Sequence, residues 1–195
     1  MLDSVLEPID PVELAPEHVR PISRREYDRM VKLGMFEDER IELLSGTLVT
    51  MSPQGGRHAT VCAWIAQRIT LALGDMTYQV RPQLPFAADD WSEPEPDLAV
   101  CRRDHPIDEH PDKVLLLVEV SETSLRKDRG VKLRIYAEAG VPEYWIVDLT
   151  TMTVEVYTEP TPKRGYARVQ KLRDGDVLHP VELPSIALPV AEIPR

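Results

Sequence analysis

Val114-Leu115-Leu116-Leu117-Val118-Glu119-Val120-Ser121 is a continuous apolar run of strand length, interrupted by a single acid near its end. Unbroken hydrophobicity over such a length, rather than strict alternation, is the mark of a strand covered on both faces. Glu119 is therefore a charge in a place where charge is expensive, and it requires a partner or a cation.

Working outward, strand-like stretches precede the run at 78–87 and 97–101, and a helical pattern follows it at 128–138. That helix is closed by Gly140, with Pro142 just beyond. Strands are expected again at 143–148 and 153–157, and short edge strands and loops in the proline-rich end from Val177. Upstream, Val61, Cys62, Ile65, Ile69, Ala72 and Leu73 recur with helical period until Gly74, which predicts a buried helix over 58–73. Segments 40–44 and 47–51 flank Ser45-Gly46, a hairpin turn. Ser23 and Glu26 have the spacing of a capping box, and Tyr27, Met30, Val31 and Leu33 form a stripe that Gly34 stops. Four prolines within residues 1–22 exclude regular structure there, so this part reads as an extended arm. Residues 23–195 read as a single domain. The fold class is α/β, or α+β: a mixed sheet with helices on both sides.

At 195 residues the chain can bury one core. Its 43% hydrophobic and 29% charged residues exclude disordered and collagen-like classes. No run approaches the ~18 apolar residues of a membrane span, and the acidic start lacks a signal-peptide pattern. A cytoplasmic protein without a membrane is expected, with Cys62 and Cys101 as buried thiols. The net charge of −10 weighs against a protein that coats DNA nonspecifically, while leaving room for a local basic groove around a carboxylate site.

Five residues carry chemistry. Asp97 opens the strand Leu98-Ala99-Val100, and Glu119 lies near the end of the apolar run. If those strands are neighbours, the two carboxylates converge, and a hard divalent cation would satisfy both; the alternative is that each caps a strand or pairs with an arginine. At ~100° per residue, Lys132 and Asp128 project into the apolar face made by Val131, Ile135, Tyr136 and Ala139. A lysine there either snorkels out or aims its charge at the carboxylates. On the same wheel Arg134 falls on the polar side and Lys127 precedes the first full turn, so neither shares the direction of Lys132; with Arg126 and Arg129 they are expected near the site as a basic patch for DNA phosphates. His58 starts the inward stripe of its helix, and Glu42 is an acid in an apolar strand. Each has an ordinary structural reading beside the functional one, as a capping histidine and as a solvent-facing strand position. No phosphate-binding glycine loop, Cys-x-x-Cys pair or nucleophile elbow occurs.

Six pieces in fixed order carry a resemblance: Ile41-Glu42-Leu43-Leu44-Ser45-Gly46; Met51-Ser52-Pro53 followed by His58; Glu95-Pro96-Asp97-Leu98; Val118-Glu119-Val120-Ser121; Asp128-Arg129-Gly130-Val131-Lys132-Leu133; and Gly140-Val141-Pro142-Glu143-Tyr144-Trp145. Over residues 23–188 the chain resembles the Uma-type restriction endonucleases, a large bacterial family similar to the PD-(D/E)XK nuclease superfamily. The resemblance implies a restriction-endonuclease-like core and Mg2+ or Mn2+ held by Asp97, Glu119 and the Val120 carbonyl. It implies DNA as substrate and Glu42 as an additional metal-assisting acid. Ser121 stands where the superfamily usually has its lysine, and Lys132 is the candidate to replace it, with His58 orienting water or substrate. Two other readings remain: a noncatalytic interaction protein on the same fold, and a metal-free hydrolase using Glu119 and Asp97 as an acid/base pair. The apolar run Tyr144-Trp145-Ile146-Val147 points to a homodimer.

Overall fold

The computed structural model describes residues 18–74, 76–162 and 164–195. The arm expected over residues 1–22 therefore lies mostly outside the described residues, and its described end has no regular structure before Ser23. Helix α1 (Arg24–Lys32) begins at Ser23, where the complete capping box forms with Glu26. Only Tyr27 of its stripe is buried; Val31 and Leu33 remain exposed. Strands β1 (Ile41–Leu44) and β2 (Thr47–Thr50) form an antiparallel hairpin. Both turn residues, Ser45 and Gly46, have positive φ, the condition of the tight turn that matches strand twist. At Gly46 a side chain is also excluded by space, because a Cβ would meet Pro21 Cβ at 2.4 Å.

Helix α2 (Gly56–Leu73) ends at Gly74 in the left-handed conformation. Beyond it comes the six-stranded mixed sheet in the order β3-β4-β5-β6-β7-β8. Its strands are β3 (Tyr78–Pro82), β4 (Leu98–Arg102), β5 (Leu116–Ser121), β6 (Glu143–Asp148), β7 (Thr153–Thr161) and β8 (Gly165–Leu172). Only β5 and β6 are parallel. The crossover between them is a helix in three parts: α3 (Leu125–Lys127), a π-helical turn (Asp128–Lys132) and α4 (Leu133–Glu138). Two short strands, β9 (Val177–Leu178) and β10 (Leu188–Pro189), pair near the C-terminus. The strand expected over 78–87 stops at Pro82. A second proline follows at position 85, and Gln83 takes a positive φ.

All six residues of β5 and of β6 are buried, as the unbroken apolar run requires. One face of the sheet packs Leu98, Val100, Leu116, Val118, Val120 and Trp145 against Val61, Cys62, Ile65 and Ile69 of α2 and against the C-terminal segment. The opposite face packs Ala99, Cys101, Leu117, Tyr144 and Ile146 against Ile135 and Tyr136 of α4. Tyr144, Trp145, Ile146 and Val147 are thus core residues of a central strand and offer no surface for the homodimer they pointed to. Cys62 and Cys101 are free and buried. Among the described residues no helix is long and apolar enough to cross a membrane.

Candidate active site

The register of the two central antiparallel strands brings the acids together. Leu98, the first residue of β4, pairs with Val118, so Asp97, just before β4, comes beside the end of β5 that carries Glu119, and its carboxylate accepts from the Val120 N–H. Both line a cavity of about 300 Å³ with His58, Val120, Lys127, Asp128 and Lys132. The β1–β2 hairpin, the start of α2, the end of β5 and the π turn make its walls. Of the residues singled out from sequence, Asp97, Glu119, Val120, Lys132 and His58 meet here. Glu42 lies behind the wall, fully buried, and touches the site through the lysines.

Lys132 is 2% exposed and its ammonium sits between two carboxylates, 2.9 Å from Glu119 Oε1 and 3.1 Å from Glu42 Oε2. It is therefore charged, with its acidity pulled well below normal: burial favours the neutral amine, but Glu119, Glu42 and Asp128 together outweigh it. One ammonium does not serve both acids equally. For Glu42, burial acts upward, yet Lys132 and Lys127 bring the net shift below the usual carboxylate range. For Glu119, burial dominates, Asp128 and Asp97 add to it, and the pKa is raised despite Lys132. Glu119 Oε1 also accepts from the Tyr136 hydroxyl at 2.8 Å.

The helical wheel turned Lys127 away from the direction of Lys132, and the structure corrects this: Lys127 Nζ donates to Glu42 Oε1 at 2.7 Å. The reason is the π turn, which closes i to i+5 and so aligns residues five apart. Lys127 and Lys132 therefore both address Glu42. Tyr136, one turn beyond Lys132, and Gln54, whose amide lies 3.5 Å from Asp97 Oδ1, were likewise not singled out. Among the cations expected to face DNA, Arg126, Arg129 and Arg134 are exposed, and Arg129 is also paired with Glu155 at 2.7 Å.

Asp97 Oδ2 accepts from the Val120 N–H at 2.8 Å and lies 3.0 Å from His58 Nε2. The hydrogen bond to Asp97 is the main reason the His58 pKa is raised; burial opposes it, and bonding to the Val120 main chain supports it. His58 Nδ1 is 3.5 Å from Cys62 Sγ. These three side chains bring ligand atoms within 4.8 Å of one another, but burial pushes the Cys62 thiol up, away from the thiolate that a soft metal would need. The rest of the wall suits a hard cation better. Asp97 Oδ1 has only the long contact with the Gln54 amide at 3.5 Å, Glu119 takes its protein donors on Oε1, and carboxylate oxygens are the donors that Mg2+ and Mn2+ prefer.

Residues 24–191 match the profile of the Uma2 family, described as "Putative restriction endonuclease". The chain belongs to the Uma2 family. A solved structure titled "a putative nuclease belonging to DUF820", from Anabaena variabilis ATCC 29413, superposes with a TM-score of 0.68 at 14% identity. The match covers 89% of this Uma2 chain and 97% of that one, and at that identity the likeness speaks for the fold. No curated protein matches the chain.

Proposed function

We propose that this Uma2 protein is a divalent-cation-dependent endodeoxyribonuclease. The observation that carries the reading is the convergence of Asp97 and Glu119, from the adjoining ends of β4 and β5, in one cavity with a buried, charged Lys132. Family membership supports phosphodiester hydrolysis as the chemistry.

In this reading Asp97, Glu119 and the Val120 carbonyl hold Mg2+ or Mn2+. When bound, the ion polarises the phosphate and lowers the pKa of water. The protein's own residues do the rest. Lys132, oriented by Glu42 and Glu119, presents positive charge to the phosphate oxygens, where negative charge grows in the transition state. Glu42 keeps Lys132 and Lys127 in position and stays ionised while doing so. His58 fixes the Asp97 carboxylate through Oδ2. Water adds to phosphorus and gives up a proton, the P–O bond to the leaving strand breaks, and the departing oxygen takes a proton from solvent. Ser121 supplies no charge in this scheme; its hydroxyl donates to Asp128.

The test is cleavage of plasmid DNA with Mg2+ or Mn2+. Nicking that stops on chelation and is absent from Asp97→Ala supports the proposal. Undiminished cutting in excess chelator favours a metal-free hydrolase instead, and DNA binding without cutting favours a noncatalytic interaction protein.

A further inference from the structure

Asp128 has a divided carboxylate. Its Oδ2 accepts from the hydroxyls of Ser121 and Ser124, each at 2.5 Å, while its Oδ1 is buried and has no hydrogen-bond partner. The side chain is 1% exposed and belongs to the cavity wall. A buried acceptor left without a donor costs roughly 1–3 kcal/mol, and the usual occupant beside such an atom is an ordered water or a cation.

The surrounding geometry separates these two. Among the described residues, only His58, Cys62 and Asp97 gather three ligand atoms within 4.8 Å of one another. Asp97, Glu119 and Asp128 are therefore too widely spread to grip one ion together. The two serine hydroxyls also lock the carboxylate's rotation, so that Oδ1 stays turned from the polypeptide donors.

We propose that Asp128 Oδ1 holds the attacking water of the hydrolysis. The water donates one hydrogen to Oδ1, which turns a lone pair toward phosphorus. As the new P–O bond forms and the bond to the leaving oxygen breaks, that proton passes to Asp128, and solvent protonates the leaving oxygen. Asp128 is then a catalytic residue, and Ser121 and Ser124 are the residues that position it. This rests on the nuclease reading above.

The experiment combines two readouts on the full chain: a crystal structure of the Mn2+-soaked protein, and plasmid cleavage by the parent and by Asp128→Asn. The expected results are an ordered water within ~3 Å of Oδ1 and a cleavage rate in Asp128→Asn lowered about 100- to 10,000-fold, with Mn2+ affinity changed only a few-fold. Should Asp128→Asn not fold, Ser121→Ala is the second variant, expected to cut about tenfold more slowly as the carboxylate loses one of its locks. Mn2+ bonded directly to Oδ1, no water beside Oδ1, or parental cleavage by Asp128→Asn overturns the proposal. A parent that cuts no DNA with either cation sinks the nuclease reading instead, and the density at Oδ1 then decides by itself whether Asp128 is a water site.

Discussion

Two buried glutamates stand side by side in this fold and are treated differently. Leu43 and Glu93 bridge their backbones through hydrogen bonds of 2.8 and 3.3 Å, and Glu42 is the neighbour of Leu43. Both carboxylates are almost inaccessible, at 0% and 4% exposure. Glu42 has lysine ammonium groups at 2.7 and 3.1 Å, and these overcome burial. Glu93 has Arg24 at 4.0 Å and His110 at 3.9 Å, with Asp28 adding negative charge; burial and Asp28 together push its carboxyl up to about 8. It lines a separate cavity of about 720 Å³ with Asp28, His105 and His110. Near-equal burial thus gives opposite outcomes: two ammonium groups within 3.1 Å outweigh it at Glu42, while at Glu93 Arg24 at 4.0 Å does not outweigh burial joined by Asp28.

Breaking the favourable member of this comparison has the largest expected effect. Lys132→Met leaves Glu42 and Glu119 without their shared cation. Loss of one partner from a buried ion pair costs about 3–5 kcal/mol, read as a lower urea midpoint, and cleavage should fall roughly 100- to 1,000-fold. The unfavourable member responds in the other direction. The folded-state pKa of Glu93 lies above its value of 4.5 in the unfolded chain, so its contribution is fullest below that value and is lost as pH rises through about 8. Glu93→Gln should therefore gain roughly 1–2 kcal/mol in alkaline solution and flatten the decline of stability between pH 5 and 9, both measurable by urea unfolding across that range.

A smaller effect is expected at Lys127, which is 30% exposed. Lys127→Ala removes one of the two cations on Glu42 and should cost about 1 kcal/mol, with cleavage reduced but not abolished. Smallest is Ser23→Ala, which removes the cap of the helix carrying Asp28. It should lower stability by ~0.5–1 kcal/mol and leave cleavage rates unchanged, because that helix borders the Glu93 cavity and not the Asp97 one.

The same comparison marks where sequence reading worked. The apolar run around Glu119, the strand opened by Asp97 and the glycine-ended helix α2 all follow from periodicity, and they define the mixed sheet and its two covering layers. Lys132 was legible because an inward lysine violates an apolar face. Lys127 was not, since a wheel drawn at α-helical period cannot anticipate a π turn. The fate of Glu42 depended on that turn too, so alternation alone left it between solvent and site. Strand β8 went unread because its residues from Ala167 to Lys171 are exposed at the sheet edge and carry no apolar pattern. The half-satisfied Asp128 was beyond reach for another reason: hydrogen-bond completeness is a property of three-dimensional neighbours, here Ser121 and Ser124.

The central claim is that Asp97 and Glu119 form one cation site, and calorimetric titration of Mn2+ tests it most directly. The account predicts binding by the parent and its loss in both Asp97→Ala and Glu119→Ala, with the folded state of each variant verified by its thermal transition. Undiminished Mn2+ binding in both folded variants would contradict it.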